Sequence, residues 1–193
     1  MPGVGAAKVE TDPIEIALVD RWALDYLARY ASSAENLRRV LVRRIRRRSR
    51  DDVEAVQRAT PIIDTVIERL RRSGLLDDEA YAAQHAQALH RRGASLLRIS
   101  ARLAAKGVPG AAATDALTAL RNVTRDPDLA AACIFARRRR LGPYRDGGPD
   151  HGRDLAAFAR AGFARRVAEA VLTCTDVDAV EALAREASGS QPG

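Results

Sequence analysis

SGLLDDEAYAAQHAQALHRRGASLLRISARLAAKGVPGAAATDALTAL, residues 73–120, decides the fold. It reads as three short helices with their punctuation intact. Asp77 is placed to N-cap the first, and Asp78 and Glu79 put negative charge in its first turn, where the helix dipole favours it. Leu76 and Tyr81 have hydrophobic-staple spacing across that start. Arg91, Arg92 and Gly93 end it, with cations in the last turn and glycine at the left-handed stop. Ser95 caps the second helix, whose apolar stripe is Leu96, Ile99 and Leu103. Lys106 and Gly107 close it, and Val108 follows at the position of the hydrophobic contact beyond a glycine stop. Pro109 suits the first turn of the third helix, which buries Ala112, Ala113, Ala116, Leu117 and Leu120. Nothing in the stretch is catalytic in character; it is a structural unit.

Working outward, the same unit recurs. Upstream, the pattern predicts a helix from Ile14 to Tyr30 and a second one capped by Ser32 or Ser33. Thr60-Pro61 predicts a third helix running to Arg72, with the polar residues 49–59 as a connector or as its start. Downstream, Asp126-Pro127 opens a helix ending in four arginines, 137–140; a turn-rich loop covers 142–152, and two short helices and a weaker last one follow. A shift of 55 residues places Leu103 on Phe158, Gly107 on Gly162 and Val108 on Phe163. A shift of 50 places Ile62, Val66 and Leu70 on Ala112, Ala116 and Leu120. The expected fold is all-α, three tandem three-helix repeats stacked into an elongated, curved array. Their expected bounds are 14–74, 75–123 and 124–175, between a disordered N-terminus at 1–13 and a C-terminal segment, 176–193, holding a short helix and a disordered tail.

Composition agrees with helices and narrows the function. Of the 193 residues 47% are hydrophobic but only 4% aromatic, so the core is expected to be mostly Leu, Ala, Val and Ile. No apolar run approaches the roughly 20 residues of a membrane span, and the N-terminus has no apolar signal segment. A cytoplasmic, monomeric protein is the expectation. The net charge of +7 is almost all arginine, since Lys8 and Lys106 are the only lysines. That balance points to nucleic acid or an acidic protein surface as partner; a solvated basic surface is the plainer reading.

A set of motifs in fixed order adds a resemblance. These are ALDYL (23–27), SSAENL (32–37), GLLDDEAYA (74–82), HRRGAS (90–95), LAAKGV (103–108), ARRRRLGPYR (136–145) and ARAGF (159–163). Together they resemble the RecX family of recombinase regulators, over residues 17–172. The chain departs from the family pattern at 43–59, which is longer and more basic. The resemblance implies a non-enzymatic protein that binds the RecA recombinase, chiefly as its filament on single-stranded DNA. It implies inhibition of the recombinase, ATPase and co-protease activities, and so modulation of DNA repair and the SOS response.

Catalytic and metal chemistry has no candidate. His85 and His90 lie five positions apart, about 140° around a helix, which is not ligand spacing. Asp77-Asp78 is explained as a cap and a first-turn acid, and Cys133 and Cys174 fall on apolar faces as core thiols. No cofactor is expected. What remains is arginine. On the second helix Arg39, Arg43, Arg46, Arg47 and Arg50 lie opposite Ala34, Leu37, Leu41 and Ile45, while Arg44 and Arg48 fall nearer the apolar side. Such a stripe tracks phosphates or acidic side chains without reading bases. At the second cluster Arg137 and Arg138 are expected to face outward, with the helix dipole as a competing reason for their presence. Two other functional classes fit a trihelical basic chain. One is a helix-turn-helix transcription factor, although the candidate recognition helices offer few Asn, Gln or Ser pairs for base edges. The other is a helical scaffold that binds only protein.

Overall fold

The computed structural model describes residues 15–148 and 150–189. The expected disordered N-terminus, 1–13, and the end of the expected disordered tail lie outside them. The described residues form ten α-helices and one short 3-10 turn, with no strand among them. They divide into two compact units at Asp77/Asp78.

The first unit holds α1 (Ile16–Leu27), α2 (Ala34–Arg48) and α3 (Val53–Arg72). Its core is Val19, Trp22 and Ala23 from α1, Leu37, Leu41 and Ile45 from α2, and Ile63, Val66 and Leu70 from α3. Leu24 of α1 lies off this core and is 44% exposed. Ser33 is the cap of α2 and accepts from the Asn36 N–H at 3.1 Å. Leu76, buried, closes this core from the segment after α3.

The start of α3 decides between the two readings of residues 49–59, since 53–59 are its first turns. Thr60-Pro61 does not begin the helix; Asp52 does, its carboxylate accepting from the Glu54 N–H at 2.9 Å. Pro61 sits inside the helix on its exposed side. A proline there removes one backbone donor and costs about 3 kcal/mol. Ala55 and Ala59, both buried, extend the stripe of Ile63, Val66 and Leu70 by two turns, and that packing holds the helix through the proline. The long basic stretch 43–59 is therefore the end of α2, a tight turn and the first two turns of α3.

The second unit begins with α4 (Asp78–His90), α5 (Leu96–Ala105) and α6 (Gly110–Val123), built around Ala82, Ala86, Ile99, Leu103, Ala112, Ala116 and Leu120. Ser95 caps α5 by accepting from the Arg98 N–H at 3.2 Å. Pro109 is the residue before α6 rather than its first, a shift of one position. Next come α7 (Pro127–Arg139), the 3-10 turn Gly142–Tyr144, α8 (His151–Arg160), α9 (Arg165–Leu172) and α10 (Val177–Ser188). The 55-residue shift holds at backbone level. Gly107 and Gly162 both have positive φ, 70° and 83°. The next N–H donates five residues back in both, Val108 to Leu103 and Phe163 to Phe158, each at 3.1 Å.

Two features of the last four helices differ from expectation. All three phenylalanines of the chain, Phe135, Phe158 and Phe163, meet in this one core, with ring centroids 5.2–5.6 Å apart. Such tilted and edge-on contacts add to the burial of large rings. The last helix is also not an appendage: α10 packs on α7 and buries Val180 and Ala187. Cys133 lies in the same core, where burial, then the charges of Cys174 and Glu181, push its thiol up to about 11. It is an inert core thiol at neutral pH.

Candidate functional site

On α2 the apolar positions Leu37, Leu41 and Ile45 are fully buried, and Arg39, Arg43, Arg46 and Arg47 are exposed on the other side. Arg39 donates to the Glu35 carboxylate one turn back at 2.9 Å. Arg43, Arg46 and Arg47 have no ion-pair partner among the described residues, so the available charge of the stripe sits on those three. Arg44 lies with its guanidinium 4.5 Å from the centre of the Trp22 ring. That cation–π contact explains an arginine near the apolar side, and it leaves Trp22 a core residue covered by cation.

The structure takes Arg50 off this helix. α2 stops at Arg48, and Arg50 adopts φ 52° in the turn that follows. The Asp51 N–H then donates to the Arg46 carbonyl at 2.8 Å, the wrapping bond of a Schellman ending with Arg50 at the left-handed position. Glycine normally takes that position because a Cβ costs about 1–2 kcal/mol there. Arg50→Gly is accordingly expected to stabilise the first unit by about 0.5–1 kcal/mol, after the entropy that glycine loses on folding. A higher urea midpoint with an unchanged slope checks it; a lower midpoint means the Arg50 side chain contributes packing that outweighs its backbone.

At the end of α7, Arg137 to Arg140 are all exposed, two more than expected. Arg137 approaches Glu181 of α10 at 3.4 Å. Arg138 donates to the backbone carbonyl of Arg92, at the end of α4, at 2.7 Å. Arg140 has φ 52°, and the Leu141 N–H donates to Ala136 at 3.0 Å, so this helix too has a Schellman ending with arginine where glycine is usual.

The bond from Arg138 to Arg92 belongs to a dense joint between α4–α5 and α7–α8. His90 Nε2 lies 2.8 Å from the Pro127 carbonyl, the Leu96 N–H donates to Asp128 at 2.8 Å, and the Ser95 hydroxyl donates to the Ala161 carbonyl at 2.8 Å. Gly93 is pressed against α7 so closely that a Cβ there would lie 2.9 Å from the Phe135 nitrogen. These contacts account for His90, which holds a backbone carbonyl, while His85 stacks on Tyr81 at 5.3 Å. No group of three His, Cys, Asp or Glu residues that could hold a metal occurs among the described residues. The sequence reading missed Arg92, Arg98, Arg139 and Arg160, which the joint gathers from four helix ends around one cleft. The sequence signal for them is weak: Arg139 and Arg160 end α7 and α8 and Arg92 follows α4, while Arg98 lies in the first turn of α5.

With that geometry in view, likeness to known proteins becomes specific. Residues 77–117, which span α4, α5 and most of α6, match the family model described as RecX, second three-helix domain. The "Regulatory protein RecX" of Myxococcus xanthus (strain DK1622) is 38% identical over 154 residues, which is 78% of this chain and 81% of that one. The chain belongs to the RecX family. The RecX protein of Agrobacterium fabrum (strain C58) is 39% identical over 111 residues, 56% of this chain and 57% of that one. A solved structure, "Crystal structure of regulatory protein RecX", has a TM-score of 0.57 over 80% of this chain and 70% of its own, at 23% identity. That last likeness concerns the fold, a RecX helical repeat. No helix among the described residues is long and apolar enough to cross a membrane.

Proposed function

We propose that this RecX-family chain binds the RecA recombinase filament on single-stranded DNA and inhibits its recombinase, ATPase and co-protease activities. It does so as a cytoplasmic monomer, without catalysis or cofactor, and thereby modulates DNA repair and the SOS response. The repeats that carry it are those bounded at 14–74, 75–123 and 124–175. The observation behind this reading is the 38% identity with a regulatory protein RecX across 78% of the chain. The arginine surfaces agree with it, because a filament is a polyanion coated with protein and is approached through charge.

The test is on α2. Replacing Arg39, Arg43, Arg46 and Arg47 with Gln is expected to leave folding nearly intact, since exposed charges contribute little to stability. Half-maximal inhibition of recombinase ATPase is expected to need severalfold more protein. If phosphates are the target, the salt dependence of binding also flattens, by about 0.7 of a unit of slope per lost contact on a single strand. A normally folded variant that inhibits as well as the unmodified protein, at low and high salt, makes the stripe solvated surface and removes it from the function.

A further inference from the structure

We propose that the cleft at the joint of α4–α5 with α7–α8 is a track for the phosphodiester backbone of single-stranded nucleic acid. The proposal rests on the reading above and assigns the nucleic-acid contact to the second unit rather than to α2.

The cleft has about 510 Å³ and is walled by Arg92, Arg98, Arg138, Arg139 and Arg160. Its other lining residues are Gly93, Ala94, Phe135, Ala157 and Ala161. A second cleft of about 380 Å³ shares Arg138, Arg139, Ala157 and Arg160 with the first and adds Arg140, Arg145 and Arg153. The two share a wall and form one groove, open to solvent, in which eight of the fifteen lining residues are arginines. The one acid among its lining residues, Asp154, is fully buried and already bonded by Arg145, and Arg140 pairs with the exposed Asp146 at 3.4 Å. Arg92, Arg98, Arg139 and Arg160 have no ion-pair partner for their side chains among the described residues.

Four features select the occupant. A groove that continues from one cleft into the next suits a polymer with a charge on every residue better than a small anion. Guanidinium forks match phosphate oxygens in pairs, which an ammonium does not. Apart from arginine the first cleft offers only small or apolar side chains, so it has nothing to read base edges and is indifferent to sequence. The glycine and alanines on its floor let a sugar–phosphate chain approach the helices closely. The groove is also built in advance of any ligand. Arg138 is held by the Arg92 carbonyl, and the Ser95, His90 and Asp128 bonds fix the two helix pairs around it. Pre-ordering of this kind lowers the entropy lost on binding.

The experiment measures binding of a labelled oligothymidylate to the full chain by fluorescence anisotropy across a salt series. Arg98→Gln with Arg160→Gln is expected to weaken binding about tenfold at low salt, and to lower the slope by about 1.4 for two lost contacts. The α2 variant is expected to bind naked oligothymidylate as the unmodified protein does. Equal affinity and slope in the cleft variant, with an unchanged melting temperature, overturns the proposal. So does competition by polyglutamate that disappears in the cleft variant while oligothymidylate binding persists; the groove then takes acidic protein. Should the double variant not fold, phenylglyoxal footprinting of the unmodified chain decides. Oligothymidylate is expected to protect Arg98 and Arg160, and their full reactivity in its presence overturns the assignment. The outcome for the wider reading is separate. Oligothymidylate binding through the cleft without any effect on recombinase ATPase defeats the regulator reading alone; inhibition without oligothymidylate binding defeats the cleft alone.

Discussion

Asp154→Ala is expected to destabilise the second unit by about 3 kcal/mol, the largest single effect of a polar side chain in this protein. The carboxylate is fully buried at the start of α8. It accepts the Gly142 N–H at 2.8 Å and is gripped by the Arg145 guanidinium, so one side chain holds both ends of the 3-10 turn after α7. Alanine leaves the buried Gly142 N–H without an acceptor, and that loss dominates, because Arg145 can turn toward water. Burial by itself raises the Asp154 carboxyl; the Arg145 hydrogen bond, the Gly142 N–H and the Arg145 and Arg153 charges overcome it and leave the carboxyl below its ordinary value. A lowered folded value fixes the sign of the pH effect. The contribution is fully present above the unfolded value of about 3.9 and is lost as pH falls through the folded value. Urea midpoints for the unmodified protein and the variant are therefore expected to differ at neutral pH and to converge in acid. A constant difference down to the acid limit means that the side chain stabilises by shape rather than charge. Asp154→Asn separates the two contributions, since its amide oxygen still accepts from Gly142.

The central helices were legible in the sequence because their ends are written in local chemistry. As a cap Ser95 needs only the N–H three residues on, and Gly107 only its own φ, so both signals are local, although the Ser95 hydroxyl also donates to the distant Ala161 carbonyl. The start of α3 was not legible for a related reason. Thr60-Pro61 is a good local start signal, and what overrides it is burial of Ala55 and Ala59, small side chains whose position only the packed core determines. Arg50 misled in the opposite direction. A helix periodicity extends through any arginine, and nothing local marks a left-handed turn that lacks glycine. The arginine cleft was beyond periodicity altogether. Arg92, Arg98, Arg138 and Arg160 lie on or beside four different helices and meet only because the joint brings their ends together. A stripe on one helix can be read from spacing; a groove between helices requires the packing.

That joint is also where the second large effect is expected. Gly93→Ala adds one carbon, yet the carbon falls 2.9 Å from the Phe135 nitrogen, 3.0 Å from Ile134 Cγ2 and 3.1 Å from the Ala131 carbonyl. Two of these are backbone atoms of α7, which no rotamer change can withdraw. The residue also has φ 79°, where a Cβ costs about 1–2 kcal/mol. Overpacking against a rigid helix adds about 1–3 kcal/mol. The expected total is about 2–5 kcal/mol. A comparison within the same unit isolates the second part: Gly147 has φ 90° and a Cβ there would meet nothing within 4 Å, so Gly147→Ala carries the backbone cost alone. Urea denaturation of the two variants is expected to place Gly93→Ala below Gly147→Ala by the packing cost. Equal midpoints mean that α4 does not end against α7. Where Gly93→Ala still folds, α7 has had to move away from α4, carrying Arg138 off the Arg92 carbonyl. The guanidinium groups of the cleft then lose their fixed spacing, although every arginine remains. Weaker oligothymidylate binding with an unchanged salt slope is the expected signature, because the number of charges is the same and only their arrangement has been lost.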